Sequence, residues 1–187
     1  VRWDPRPALQ GHYRDDEIDA FLAGRFAADN RTLDAGRPFS ELERELREQA
    51  PADAAMWRTY WDGFARTLGG PVPGMAELVA ELKAGGIRLL GLTNWSAETF
   101  DNAAVAAPAI DELDDILVSG REGLAKPDPA IFALLIDRFA LTPSTTAFTD
   151  DSPANVAAAR AAGLHAIQFV DAADLRARLR ELGLPLA

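Results

Sequence analysis

Short apolar runs alternate with helical segments in the second part of the chain, and this alternation constrains the fold more than any other feature. Helical patterns of about ten residues separate the apolar runs. Such an alternation indicates a parallel sheet with right-handed crossovers and helices on both faces, which is a Rossmann-like α/β fold. The predicted strands are 87–92, 116–118, 145–149 and 165–170.

The first part of the chain has only helical patterns. Helices are predicted over 15–28, 40–48 and 54–68, the second of them opened by a capping box of Ser40 and Glu43. The third carries an aromatic stripe, which is more typical of core packing than of a ligand site, although a helix at a cleft rim could serve both purposes. The stripe consists of Trp57, Tyr60, Trp61, Phe64 and Leu68.

A cluster of glycines and prolines at 69–74 separates these two patterns, as is typical of a hinge or domain boundary. We therefore expect a small all-helical domain over 1–70 and an α/β core over 71–187.

Composition excludes several classes of function. The chain has no cysteine and two histidines, His12 and His165, so disulfides, thiol nucleophiles and histidine-based metal sites are disfavoured. With 19 basic against 29 acidic residues, the net charge of −10 disfavours a nucleic-acid partner. No apolar run approaches the roughly 18 residues of a membrane helix, and the first residues do not resemble a secretory signal. We expect a cytoplasmic protein with no membrane partner, and a homodimer stays an open alternative.

Polar residues follow the first predicted strand at the place where open α/β sheets bind ligands, beyond the carboxyl ends of the strands. Thr93, Asn94, Trp95 and Ser96 offer a hydroxyl, an amide and free backbone N–H groups, which together suit an anion. The alternative is an ordinary helix N-cap formed by Ser96 or Asn94.

The next two strand ends carry charged residues. Lys126, one of only two lysines beside 17 arginines, lies in the loop after the second strand. It is either a compact point charge of the site or a solvated surface lysine. Asp150 and Asp151 end the third strand, and a hard cation such as Mg²⁺ is the usual reason to tolerate adjacent carboxylates there. The alternative is an N-cap role for Asp151 or Ser152.

These motifs resemble those of the haloacid dehalogenase superfamily of hydrolases over about residues 71–170. The family's Ser/Thr motif is matched by Thr93 in LLGLTNWS, and its lysine motif by Lys126 in GLAKPDPAIF. Its acidic motif, of the form DDxxxN, is matched by Asp150, Asp151 and Asn155. The helical segment then resembles the cap that the family inserts after its first core strand.

One departure from the family pattern bears on the mechanism. The family's nucleophile is an aspartate at the end of the first core strand. The sequence starts VRWDPR and contains no apolar strand that ends in such an aspartate before the helical segment. We therefore expect an incomplete copy of the natural chain that is inactive as written. A substitute role for Asp4 is the less favoured alternative, since it lies too far along and precedes Pro5.

The resemblance implies a Mg²⁺-dependent phosphatase that acts on a small phosphorylated metabolite through an aspartyl-phosphate. In this interpretation Lys126 and Thr93 are catalytic, and Asn94 and Trp95 join them in substrate binding. Asp151, with Asp150 as an auxiliary ligand, holds the metal, and Asn155 orients the acidic loop.

Two alternatives stay open. In 2-haloacid dehalogenases of this family a tyrosine follows the lysine by six residues and an amide lies in the acidic loop, where the present chain has Phe132 and Ser152. A catalytically inactive binding or regulatory domain is the other alternative.

Overall fold

A computed structural model describes residues 1–186. Its helices are interspersed with four short strands, and its 3-10 turns span Phe64–Thr67, Pro108–Glu112 and Pro143–Thr145. In chain order, the helices are α1 (Arg6–Leu9), α2 (Asp15–Phe21), α3 (Ala27–Asp34), α4 (Phe39–Gln49), α5 (Pro51–Asp62), α6 (Met75–Ala84), α7 (Asn102–Ala106), α8 (Ser119–Glu122), α9 (Pro129–Arg138), α10 (Pro153–Ala161) and α11 (Ala172–Glu181). The strands are β1 (Leu90–Thr93), β2 (Asp115–Val118), β3 (Ala147–Asp150) and β4 (His165–Gln168).

The fold is α/β with parallel strands, as the alternation predicts. Each predicted strand overlaps an observed one. Strands β1 and β2 pair in parallel, as do β3 and β4. Within residues 1–186 the two pairs form separate two-stranded sheets, and β1 makes no ladder with β3.

Helices α9 and α10 cover the sheets and set the positions of the loops that precede them. Helix α9 begins at Pro129, and the Asp128 carboxylate caps it by accepting a hydrogen bond from the Ala130 amide at 2.8 Å. Ile131 and Phe132 on α9 are fully buried, and they pack with Leu117 of β2 and Val156 of α10. This core holds the loop that carries Lys126 against the carboxyl ends of the strands.

The helical segment, residues 1–70, has a separate core built around Trp57. The Trp57 indole stacks on Phe26 at 4.7 Å between ring centroids and meets the edge of Phe21 at 5.9 Å. Pairs of this kind contribute about 0.5–1.5 kcal/mol beyond their burial. The aromatic stripe on α5 is therefore mainly core packing.

Two helix predictions in this segment were wrong in detail. The predicted helix over 15–28 is interrupted by a π-helical turn, Leu22–Phe26, in which Gly24 has the non-helical ψ of −133°. The chain then continues as α3 as far as Asp34. The capping box of Ser40 and Glu43 is also absent, because α4 begins one residue earlier, at Phe39, and the Glu43 carboxylate accepts hydrogen bonds from arginine side chains instead.

The helix predicted from about residue 97 begins later, at Asn102, after a series of turns. No helix within residues 1–186 has the length and apolar character needed to cross a membrane.

Candidate active site

A cavity of about 410 Å³ lies between the carboxyl ends of β1 and β3 and the helical segment. The strand-end loops form one side of the cavity. Residues of α3, of α5 and of the 3-10 turn Phe64–Thr67 form the other side. All seven residues proposed for the site from the sequence line this cavity: Thr93, Asn94, Trp95, Lys126, Asp150, Asp151 and Asn155.

Lys126 is buried in the cavity wall, with 9% of its side chain exposed. Its Nζ atom donates hydrogen bonds to the Leu92 carbonyl and to Asp150 Oδ2, both at 2.7 Å. It also lies 5.7 Å from the centroid of the Phe148 ring. The interpretation of Lys126 as a solvated surface lysine was therefore wrong, since two oxygens and an aromatic ring hold its charge inside the protein.

Asn94 positions the backbone of Lys126. The Asn94 side chain donates to the Lys126 carbonyl and accepts from the Lys126 amide, each at 2.8 Å. This reciprocal pair joins the loop after β1 to the lysine loop. The pair fixes the orientation of the Asn94 side chain, although Nδ2 keeps a second hydrogen and Oδ1 a second lone pair.

The two acidic residues at the end of β3 have different surroundings. Asp150 is almost fully buried; its Oδ2 accepts from Lys126, and its Oδ1 accepts from the Ser152 amide and from Asn155 Nδ2, both at 2.9 Å. Asp151 is exposed, and no hydrogen bond to its carboxylate is found within residues 1–186. Asp150 is therefore fixed by its neighbours, while Asp151 can take a further partner.

Ser119, at the end of β2, connects the two sides of the cavity, and the sequence analysis did not identify it. The fully buried Ser119 hydroxyl accepts a hydrogen bond from the Trp95 amide at 2.9 Å and donates to the Asp34 carbonyl at 2.5 Å. The next residue, Gly120, approaches the loop after β1 so closely that a Cβ atom there would lie 2.5 Å from the Ala97 nitrogen. The strand-end rule that identified Thr93 would also have identified Ser119.

Asp34, at the end of α3, contributes a carboxylate to the cavity from the helical side. Burial raises the pKa of this carboxyl to about 6, and a hydrogen bond from the Ser96 backbone opposes the rise. Asn30 Nδ2 also donates to Asp34 Oδ2 at 3.1 Å. Within residues 1–186 no lysine, arginine or histidine forms an ion pair with Asp34.

Tyr60 lies beneath the aromatic wall of the cavity. Its side chain is fully buried, and among residues 1–186 its hydroxyl has no hydrogen-bond partner of normal geometry, although the Trp3 indole lies beside it. Burial raises the pKa of the Tyr60 hydroxyl, so the phenol stays neutral. Trp61, Phe64 and Trp95 line the same cavity.

Asp4, the less favoured substitute for the nucleophile, lies outside the cavity. It is exposed, and its carboxylate accepts a hydrogen bond from the Arg6 amide at 3.0 Å. Asp4 therefore serves the start of α1 and does not reach the strand ends.

A family model for haloacid dehalogenase-like hydrolases matches residues 6–163. The chain therefore belongs to the haloacid dehalogenase-like hydrolases. It is 31% identical over 153 residues to protein CbbY of Rhodobacter capsulatus, a match that covers 74% of this chain and 67% of that protein. It is also 31% identical over 134 residues to phosphoserine phosphatase of Thermus thermophilus, covering 70% of this chain and 54% of that protein.

Curated relatives are matched over 11% to 67% of their own lengths. Among solved structures, the magnesium complex of the haloacid dehalogenase family enzyme bt-2542 from Bacteroides thetaiotaomicron superposes with a TM-score of 0.72. The two proteins are 18% identical, and the match covers 96% of this chain and 92% of that chain. At this identity the likeness concerns the fold alone.

Proposed function

We propose that the natural protein is a Mg²⁺-dependent phosphatase that hydrolyses a small phosphate monoester through an aspartyl-phosphate intermediate. The observation that supports this proposal most is that four residues line one cavity. They offer a hydroxyl (Thr93), an ammonium group (Lys126) and two carboxylates (Asp150 and Asp151). Relatives that bear the name phosphatase also support it.

In this proposal the phosphoryl group lies against the loop after β1. The Thr93 hydroxyl and the Asn94 backbone N–H donate to its oxygens, and Trp95 lines the same wall. Lys126 balances the negative charge that a carboxylate nucleophile and a phosphate bring together. A donor that acts in this way contributes about 10²–10³ in rate.

The donor set at the end of β3 suits Mg²⁺, which proteins bind through one or two carboxylates together with water and substrate phosphate oxygens. Asp151 would hold the ion, since its carboxylate has no other hydrogen-bond partner, and Asp150 would support it from the Lys126 ion pair. When bound, Mg²⁺ supplies positive charge that offsets the repulsion between nucleophile and phosphate. Within residues 1–186 no group of three acidic or histidine side chains is arranged to hold a metal ion, so the other ligands would come from the proposed nucleophile, the substrate and water.

Among residues 1–186, no carboxylate in the cavity is free to be the nucleophile in this scheme. Asp150 is bound by Lys126, Asp151 is assigned to the metal, and Asp34 lies on the helical side. We propose that the nucleophile belongs to a strand between β1 and β3, whose facing edges are unpaired, and that the helical segment is the cap. Residues 1–187 alone would then be inactive.

Dehalogenation of 2-haloacids is the second candidate, and the residues at two positions disfavour it. Phe132 carries no hydroxyl and is fully buried in the core beside Phe148, away from the cavity. Ser152 offers no amide side chain in the acidic loop. Halide release from 2-chloropropionate should therefore be absent, and its detection would favour the dehalogenase.

The main test is hydrolysis of p-nitrophenyl phosphate by the natural protein with Mg²⁺ and with EDTA. We expect activity only with the metal, and a loss of at least ~10²-fold in kcat for Lys126→Ala. Lys83→Ala is the matched control, because Lys83 is the other lysine and lies on α6, outside the cavity. A readout independent of activity is the stabilisation of the protein by Mg²⁺, which Asp151→Asn should remove.

Turnover that is unchanged in EDTA would refute metal dependence, and a fully active Lys126→Ala variant would remove the lysine from the site. A folded natural protein that binds Mg²⁺ but hydrolyses no phosphate ester would favour the inactive, ligand-binding alternative.

A further inference from the structure

The side chains of the cavity contain more negative than positive charge. Asp34, Asp150 and Asp151 line it, whereas Lys126 is its only lysine or arginine within residues 1–186. Lys126 is already paired with Asp150, and Asp151 faces the proposed metal. Among the side chains of residues 1–186, Asp34 is therefore a carboxylate of the cavity without a cationic partner.

Aromatic rings surround the cavity on the side where Asp34 lies. Trp61 and Phe64 come from the helical segment, and Trp95 approaches from the loop after β1, with its ring centroid 5.9 Å from that of Phe64. The faces of aromatic rings attract cations, and rings combined with a carboxylate form the typical environment of an organic ammonium group. A plain apolar substrate would leave the Asp34 charge uncompensated in such a site.

Tyr60 lies behind these aromatic rings. Its hydroxyl is fully buried beside the Trp3 indole, so it shapes the wall of the cavity and does not itself contact a ligand.

We propose that the substrate is the phosphate monoester of a small amino alcohol. Its phosphoryl group lies at Thr93 and Lys126, and its ammonium group lies at Asp34 among the aromatic rings. This inference rests on the proposed phosphatase function and specifies its substrate class. In the net reaction the bond between phosphorus and the alcohol oxygen breaks, water supplies the oxygen of inorganic phosphate, and a proton passes to the departing alcohol.

The same charges disfavour substrates that carry a carboxylate beside the phosphate. Phosphoglycolate has no ammonium group for Asp34. Phosphoserine has one but, like phosphoglycolate, needs a cation for its carboxylate, and no arginine within residues 1–186 lines the cavity. We therefore expect both to be poorer substrates than an amino alcohol phosphate, although relatives are named for them.

The test compares two esters that have nearly the same shape and differ in charge. Phosphocholine carries a quaternary nitrogen where 3,3-dimethylbutyl phosphate carries a neutral carbon. For the natural protein we expect kcat/KM to be about tenfold or more higher for phosphocholine, the size of effect that a partly desolvated cation site gives. Asp34→Asn should reduce the ratio of kcat/KM for phosphocholine to that for the neutral ester to about one, because asparagine removes the charge but keeps the size of the side chain and an acceptor for the Ser96 N–H.

Asp137→Asn is the matched control, since Asp137 is an exposed carboxylate on α9 outside the cavity, and the preference should persist in this variant. A second measurement needs no variant: choline should inhibit hydrolysis of p-nitrophenyl phosphate about tenfold more strongly than 3,3-dimethylbutanol.

The rates for the two esters test the substrate class, and hydrolysis of p-nitrophenyl phosphate tests the phosphatase function. Equal rates for the two esters, or a preference that survives Asp34→Asn, would overturn the amino alcohol assignment while hydrolysis of p-nitrophenyl phosphate left the phosphatase assignment intact. If no phosphate ester is hydrolysed, both proposals fail.

Discussion

Replacement of Asp34 by asparagine should stabilise the protein at neutral pH, and the gain should shrink as the pH falls. Burial raises the pKa of the Asp34 carboxyl from 3.8 to about 6, so the folded state binds this proton more tightly than the unfolded state. The folded protein therefore bears the cost of a buried charge above the folded pKa. That cost decreases as the pH falls from about 6 towards about 4 and disappears below the unfolded pKa.

The size of the effect follows from the difference between the two pKa values. At 1.36 kcal/mol per unit, the ionised carboxylate costs at most about 3 kcal/mol of unfolding free energy at about pH 7 and about half of that at about pH 5. Asparagine carries no charge and keeps an acceptor for the Ser96 amide, so most of this cost should vanish. The stabilisation by Asp34→Asn should thus grow between these two pH values.

Urea unfolding of the wild type and of Asp34→Asn over this pH range measures the difference directly. Asp137→Asn, at an exposed site, should change stability little at either pH. A destabilised Asp34→Asn protein, or a difference that does not change with pH, would refute the view that Asp34 is a desolvated carboxylate without a cationic partner.

Two further predictions concern the contacts that hold the cavity together. Ser119→Ala leaves the buried Trp95 amide without its acceptor and should lower the unfolding free energy by about 1–3 kcal/mol, whereas Ser144→Ala at an exposed site should not. Gly120→Ala places a methyl group against the backbone of the loop after β1 and should destabilise by about 1–3 kcal/mol or more, whereas a Cβ atom at Gly24 meets nothing within 4 Å. Urea unfolding checks both pairs, and equal effects within a pair would contradict the reasoning.

The strand-end residues of the site could be predicted from the sequence because they depend on local patterns. A parallel sheet brings the carboxyl ends of its strands to one edge, so the polar residues after each apolar run meet whatever the lengths of the connecting helices. Thr93, Lys126 and Asp151 were therefore assigned to one site, and they line one cavity. Their catalytic roles stay predictions.

The contribution of the helical segment could not be predicted in the same way. The apolar spacing over 15–28 suggested one helix, whereas the chain bends at Gly24 and α3 runs on to Asp34. The packing of α3 on the loop after β1 depends on contacts distant in sequence. Asp34 and Ser119 meet across 85 positions of the chain, which no local pattern encodes.

The proposed metal dependence and the proposed cationic substrate both follow from the excess of negative charge in the cavity. Among the side chains of residues 1–186, three carboxylates and one ammonium line a space that is proposed to receive a phosphate ester, which is itself an anion. Lys126 is already paired with Asp150, and the proposed divalent cation near Asp151 would offset the charge of the phosphate. After that charge is added, Asp34 and the phosphate still exceed the positive groups around them, and an ammonium group on the substrate brings the cavity closest to neutrality. Metal dependence and preference for a cationic substrate are therefore expected to appear together, each reducing the same excess of negative charge.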